Sequence, residues 1–180
     1  MYTNELAAHV HQDVEGWIKN FVEQPNAFHD YKFAVCPWAR SARETGTSRL
    51  RCYDQGNVWS WLKQQVTMLI QHPQHQVGLF VMPPLMRNPI TRLQIHVMNR
   101  SIIGQDFFAM MGSTVGLNSR YAWWWGRGEY TVVGVNRLSR VLPAVDVLRQ
   151  QGYYQKWSQQ HLQDIVYHRQ HMYEKYRKKH

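Results

Sequence analysis

Apolar residues recur along this chain with two different periods, and the switching between them predicts the elements. In "TNELAAHVHQDVEGWIKNFVEQP", Leu6, Val10, Val14, Trp17, Ile18 and Phe21 fall at three- and four-residue steps, the spacing of one apolar stripe on a helix. Thr3 suits its cap and Pro25 its end. "YKFAV" then predicts a short buried strand. Pro37 suits a first helical position and Gly46 a terminus, so "PWARSARET" predicts a short helix. "SRLRCYD" alternates, with Leu50 and Cys52 on one side and Arg49 and Arg51 on the other. The helical period returns in "NVWSWLKQQVTMLIQH", where Val58, Trp59, Leu62, Val66, Leu69 and Ile70 form the core face and Pro73 follows.

"QVGLFVMP" predicts a buried strand, "PPLMRNP" a short connection, and "TRLQIHVMN" a strand with Leu93, Ile95 and Val97 on one side. "SIIGQDFFAMMG" predicts a helix ending at Gly112, "STVGLNSRYAWWWGRG" a long loop and "EYTVVGVN" a further strand. "LSRVLPAVDVLRQQG" and "WSQQHLQDIVYHRQHMYEKYRKKH" predict two helices separated by Gly152, with Pro143 starting or kinking the first. Strands interleaved with helices in this way predict an α/β fold: a single domain over 1–180, with a mixed sheet of about five strands and helices packed on it. An acidic N-terminal helix (1–24) and a basic C-terminal helix (154–180) flank a sheet-containing core (31–136).

Composition agrees with a packed domain: 44% of the 180 residues are hydrophobic, among them 8 Trp, 10 Tyr and 6 Phe. No apolar run approaches the roughly 18 residues of a membrane span, and the N-terminus lacks a basic region followed by an apolar stretch. Two cysteines cannot build a disulfide scaffold and read as reduced thiols, so a cytoplasmic protein with no membrane association is expected. The formal net charge is +9, unevenly spread. Residues 1–30 hold Glu5, Asp13, Glu15, Glu23 and Asp30 against Lys19 alone, whereas 169–180 hold five bases and one acid. That surface should attract an acidic small molecule, an acidic partner protein or, through the C-terminal helix, nucleic acid. A merely soluble basic protein has the same pattern.

Cys36 stands where a strand is expected to meet a helix mouth. Unpaired N–H groups and the helix dipole there would favour the thiolate, with Arg40 and Arg43 in the next two turns pushing the same way. The alternative is a small apolar residue packed at a helix start. "CPWA" resembles the Cys-Pro-aromatic-Cys motif of glutaredoxins, and the element order from Tyr31 to Met111 is similar to the thioredoxin-type succession. Ala39 stands at the second cysteine of that motif, so dithiol exchange within it is lost. The segments Val35–Ala39, "GLFVMP" and "VNRLSRVLPAVDVLR" also resemble those of an uncharacterised family of small bacterial and phage-borne proteins, which implies no activity.

Asn99-Arg100 and Asn136-Arg137 each follow a predicted strand and open a helix. Their arginines are candidate anion clamps beside Cys36, since ligands of open sheets bind outside strand C-termini; both pairs could equally be plain caps. Trp123, Trp124 and Trp125, between Arg120 and Arg127, could stack on bases, anchor a protein interface or cap the sheet. Asp164, His168 and His171 share a helix face, and His72 and His75 flank a turn, yet solvated histidines give the same pattern. Asp106 and Asp146 are isolated acids, either general bases or caps and ion-pair partners. No phosphate-loop or zinc-site spacing occurs, so no metal and no cofactor are expected. Two functions follow: a Cys36 thiol-dependent transfer or redox protein with a basic anion-binding pocket, or a non-enzymatic accessory or phage-type module that binds nucleic acid or a protein assembly.

Overall fold

The N-terminal stripe forms the expected helix, α1 (Asn4–Trp17), which widens into a π-helical stretch over Ile18–Val22. This is a computed structural model of the chain, and it describes residues 4–82, 106–111 and 131–178. Helix α2 (Ala39–Glu44) ends before Gly46, whose φ of +66° is a left-handed conformation that favours glycine. Strand β1 (Ser48–Cys52) leads to helix α3 (Val58–Gln71), where the Asn57 side chain accepts hydrogen bonds from the N–H groups of Trp59 and Ser60. Strand β2 (Val77–Met82) follows, then β3 (Phe107–Met111) and β4 (Thr131–Arg137). Helix α4 (Leu138–Gln150) carries Pro143 inside it, and Gly152, with φ +87°, turns the chain afterwards. The C-terminal helix starts as α5 (Gln159–His161) on a Ser158 cap, passes through a π-helical stretch (Leu162–Tyr167) and continues as α6 (His168–Arg177).

The described strands form one mixed four-stranded sheet in the order β1-β2-β4-β3, against the five or so expected. β1 and β2 are parallel, joined through α3, while β4 runs antiparallel to both β2 and β3. Two expectations need correcting. "YKFAV" is not a strand: Ala34 makes a single antiparallel bridge to Pro25. Phe107–Met111 is a strand, not the end of a helix. Its continuous apolar run is what a strand with neighbours on both faces looks like, and periodicity cannot separate that from a buried helix. The alternating stretch around Leu93–Val97 lies outside the described residues, as does all of "SIIGQ".

Strand alternation gives the sheet two faces. On one, Phe80, Met82, Val133 and Val135 are buried against Trp61, Leu62, Val66 and Leu69 of α3, with Leu138 and Met172 closing the cluster. Gly78 belongs to this packing: a Cβ there would come within 2.6 Å of the Phe80 ring. On the other face, Val10, Val14 and Ile18 of the N-terminal helix cover Val81 and Val132, with Leu50, Cys52 and Leu79 beside them. A third cluster, Val145, Leu148, Tyr153, Tyr154 and Val166, ties α4 to the C-terminal helix and takes in Phe33, Trp38 and Trp157. Among the described residues no helix is long and apolar enough to cross a membrane.

Candidate functional site

Beyond the reach of α1, the second face of the sheet is open. Val77, Leu79, Gly134 and Asn136 line a cavity of about 760 Å³. The register explains the floor: Val77 pairs with Asn136 and Leu79 with Gly134, so a glycine and a short polar side chain sit where the opposite face has Val133 and Val135. The walls are the π-helical end of the first helix, the 36–47 segment with α2, the start of α4 and the stretch from Tyr153 to Arg169. Both π-helical stretches reach the lining, through Ile18 and Val22 in one and Ile165 in the other. Such stretches are rare, and they recur at functional sites because the extra residue re-aims side chains.

One end of the cavity is aromatic. The Tyr154 and Trp157 rings lie 5.0 Å apart edge to face, and Trp157 lies 4.5 Å from His161. His29, buried behind them, stacks on Tyr153 with 4.4 Å between centroids. Burial holds its imidazole down at about 4, with the Lys156 charge pushing the same way. The Tyr153 hydroxyl donates to the Val35 carbonyl, and burial pushes it well above the ordinary phenol value. Arg169 is only 8% exposed, lines the cavity and holds its guanidinium 5.6 Å over the Phe108 ring.

Cys36 lines the same cavity, half-buried, but no strand leads into it. Its backbone N–H bonds the Val22 carbonyl at 3.0 Å, which pins the segment to the π-helical turn. Burial pushes its thiol up; the N–H groups of Trp38 and Ala39 pull the other way, as a helix mouth should, without overcoming it. The electrostatic support expected of Arg40 and Arg43 goes elsewhere. Arg43 donates from Nε and Nη2 to both carboxylate oxygens of Glu23, at 2.7 and 2.8 Å, and Arg40 Nε lies 3.8 Å from the same group. The Glu23 side chain is 2% exposed, and the hydrogen bonds from Arg43 keep its carboxyl below the ordinary range. This clamp fixes α2, a helix with no buried residue, as one wall. Cys52 lies in the α1 cluster, where burial raises its thiol to about 11.

Arg137 is not beside Cys36. Because β4 is antiparallel to β2, its last residue sits at the start of β2, not at the shared C-terminal edge. Its guanidinium lies 4.4 Å over the Phe107 ring, and Nη1 is 3.8 Å from Asp106. Asp106 accepts from the N–H of Ser139 at 2.6 Å and from its hydroxyl, so it caps α4. Asp146 pairs with Arg149 at 3.0 Å on the surface. Among the described residues no group of three or more His, Cys, Asp or Glu could hold a metal ion. Arg100, Trp123, Trp124, Trp125 and Arg127 lie outside the described residues.

Sequence reasoning missed Arg169, His29 and the Tyr153–Trp157 knot. Only the position of Arg169 on a helix face shared with Ile165 and Met172 marks it as turned inward. Searches of family models, curated proteins and solved structures find no match to this chain.

Proposed function

We propose that this chain is a ligand-binding module whose cavity takes an acidic small molecule with a flat or apolar body. The observation that carries the reading is the cavity of about 760 Å³ itself, a size typical of sites for small organic ligands. Its chemistry supports the same class. Arg49, Arg51, Arg140 and Arg169 line it beside Arg43, whose charge Glu23 takes, against the carboxylate of Glu15, which pairs with Lys19 at 2.9 Å. Trp17, Trp38, Tyr154 and Trp157 supply rings for a flat body to pack on. Under this reading Cys36 is a neutral wall residue, since a thiol pushed up by burial is mostly protonated at neutral pH and a poor nucleophile.

Anilinonaphthalene sulfonate, an anion with an aromatic body, is a suitable probe. It should bind the native chain saturably at one molecule per chain with a rise in fluorescence. Gly134→Val, which builds a side chain on the floor, and Val141→Trp, which fills a wall, should each weaken binding at least tenfold. Absence of native-state binding, or equal binding in both folded variants, overturns the reading.

A second reading has its own support. Lys175, Arg177 and Lys178 are exposed on the last turns of α6, a basic edge that suits a polyanion such as nucleic acid. Single-stranded DNA should then bind at low salt, with affinity falling steeply as salt rises, and replacing those residues by Gln should flatten the slope.

A further inference from the structure

The turn before β2, whose His75 and Gln76 line the cavity, collects positive charge. His75 and Gln76 sit between the start of β1 and the end of β4: the N–H of Gln76 bonds the Thr47 carbonyl at 2.8 Å, and the Gln76 carbonyl accepts from the N–H of Arg137 at 2.8 Å. Arg137 Nε donates to the His75 carbonyl at 3.3 Å. On the other flank, Arg49 pairs in register with Gly78, and both Arg49 and His75 line the cavity. The two guanidinium-bearing strands therefore bracket one turn, with a glycine in the strand between them.

Three nitrogens on these residues are buried without a hydrogen-bond partner: Arg49 Nε, His75 Nδ1 and Arg137 Nη2. A buried donor left unsatisfied has lost its water without compensation, most severely when charged, so the two guanidinium nitrogens, and His75 Nδ1 where it carries the proton, call for an acceptor. The neighbouring groups do not supply one. Arg49 Nη2 reaches only the Met68 sulfur, at 3.9 Å. Asp106 lies 3.8 Å from Arg137 Nη1, beyond hydrogen-bond distance. Burial, and after it the charges of Arg49, His72 and Arg51, all basic, disfavour the cationic form of His75. Burial and the Arg51 charge likewise disfavour the charged form of Arg49.

We propose that Arg49, His75 and Arg137 form a site for a tetrahedral oxyanion, a phosphate group, at the entrance to β2. A phosphate accepts several hydrogen bonds at once, suits guanidinium forks, and would hold His75 in the tautomer with a proton on Nδ1. The site goes beyond the ligand-binding reading, because Arg137 stands outside the cavity lining and Arg49 reaches Met68 on the α3 side of the sheet. It depends on that reading only through the cavity lining shared by Arg49 and His75.

Inorganic phosphate is the probe. Titrated into the full chain, it should raise the melting temperature and shift the His75 ring resonances saturably. Arg49→Gln and Arg137→Gln should each weaken phosphate binding at least tenfold. Lys63→Gln, the same charge change at an exposed position of α3, should not. Saturable shifts at His75 in the unmutated chain support the site even where a variant folds poorly. No shift, or equal phosphate binding in both folded variants, overturns it. Adenosine monophosphate binding more tightly than phosphate would identify an organic phosphate as the occupant, and equal binding a free anion. Arg137 does not line the cavity, so Arg137→Gln should lose phosphate binding while keeping that of anilinonaphthalene sulfonate, which separates failure of this site from failure of the cavity reading.

Discussion

On one face of the sheet, Phe80, Val133 and Val135 have no exposed surface and meet a helix along its length; on the other, their strand neighbours Leu79, Gly134 and Asn136 floor a cavity. The same strands make both faces, so backbone pairing does not explain the difference. Side-chain volume does. Three large apolar residues in register fill the space under α3, whereas glycine and asparagine on the reverse side leave space that α1 and α4 bridge without filling. The closed face stabilises the molecule by burial. The open face is walled instead by an ion-pair clamp, an aromatic knot and two π-helical stretches.

The largest expected effect probes the contrast directly. Phe80→Ala should lower unfolding free energy by about 3–5 kcal/mol in urea titrations, the cost of a cavity in a packed core, while Leu79→Ala, next in sequence but facing open space, should cost clearly less. Similar losses at the two positions would remove the distinction. Next comes the clamp on the open side. Glu23→Gln leaves two guanidinium groups without their carboxylate and should cost about 1–2 kcal/mol, less than breaking a fully buried pair because both guanidinium groups reach water. Because Arg43 lowers the Glu23 carboxyl from 4.5, the stability it contributes is present above that value and is lost as pH falls through its lower folded-state value.

A third test uses acid earlier in the titration. His29 is held neutral at about 4 against an ordinary 6.5, so the folded state resists a proton that the unfolded chain accepts. Stability should be flat above pH 6.5 and decline progressively down to about 4; in His29→Phe that part of the decline should vanish. A fluorescence-monitored urea series across this range reads it. The smallest effect concerns Cys36: at pH 7.5 its alkylation by iodoacetamide in the folded chain should be slower than that of free cysteine. Faster reaction would turn the open face back towards thiol chemistry.

The elements that the sequence predicted well are those with an exposed side. α1 and α3 show the helical period because one flank meets water, and β1 alternates because Arg51 does. Where a segment is enclosed, the pattern fades: Phe107–Met111 reads as a helix, and Trp61 falls outside the α3 stripe drawn from spacing although it is buried. The site was legible in part. Cys36 and Arg43 do lie at one cavity, but the partner of Arg43, Glu23, is 20 residues away and belongs to a helix that looks merely acidic. Nothing local records that β4 runs backwards, and that direction alone carries Arg137 from the expected edge to the turn at His75. Long-range pairing decided these placements, and short-range pattern does not encode it.

The π-helical stretch at Leu162–Tyr167 has a consequence for the reading frame of the helix that contains it. A π-turn holds one residue more than an α-turn, so everything after it is rotated by about 100° relative to an uninterrupted helix. Arg169 and Met172 both reach the interior on the far side of that offset. Deleting a single residue within 162–167 would turn the π-turn back into an α-turn and leave both side chains facing inward, whereas inserting one would swing them toward solvent, so at this place the helix tolerates losing a residue but not gaining one.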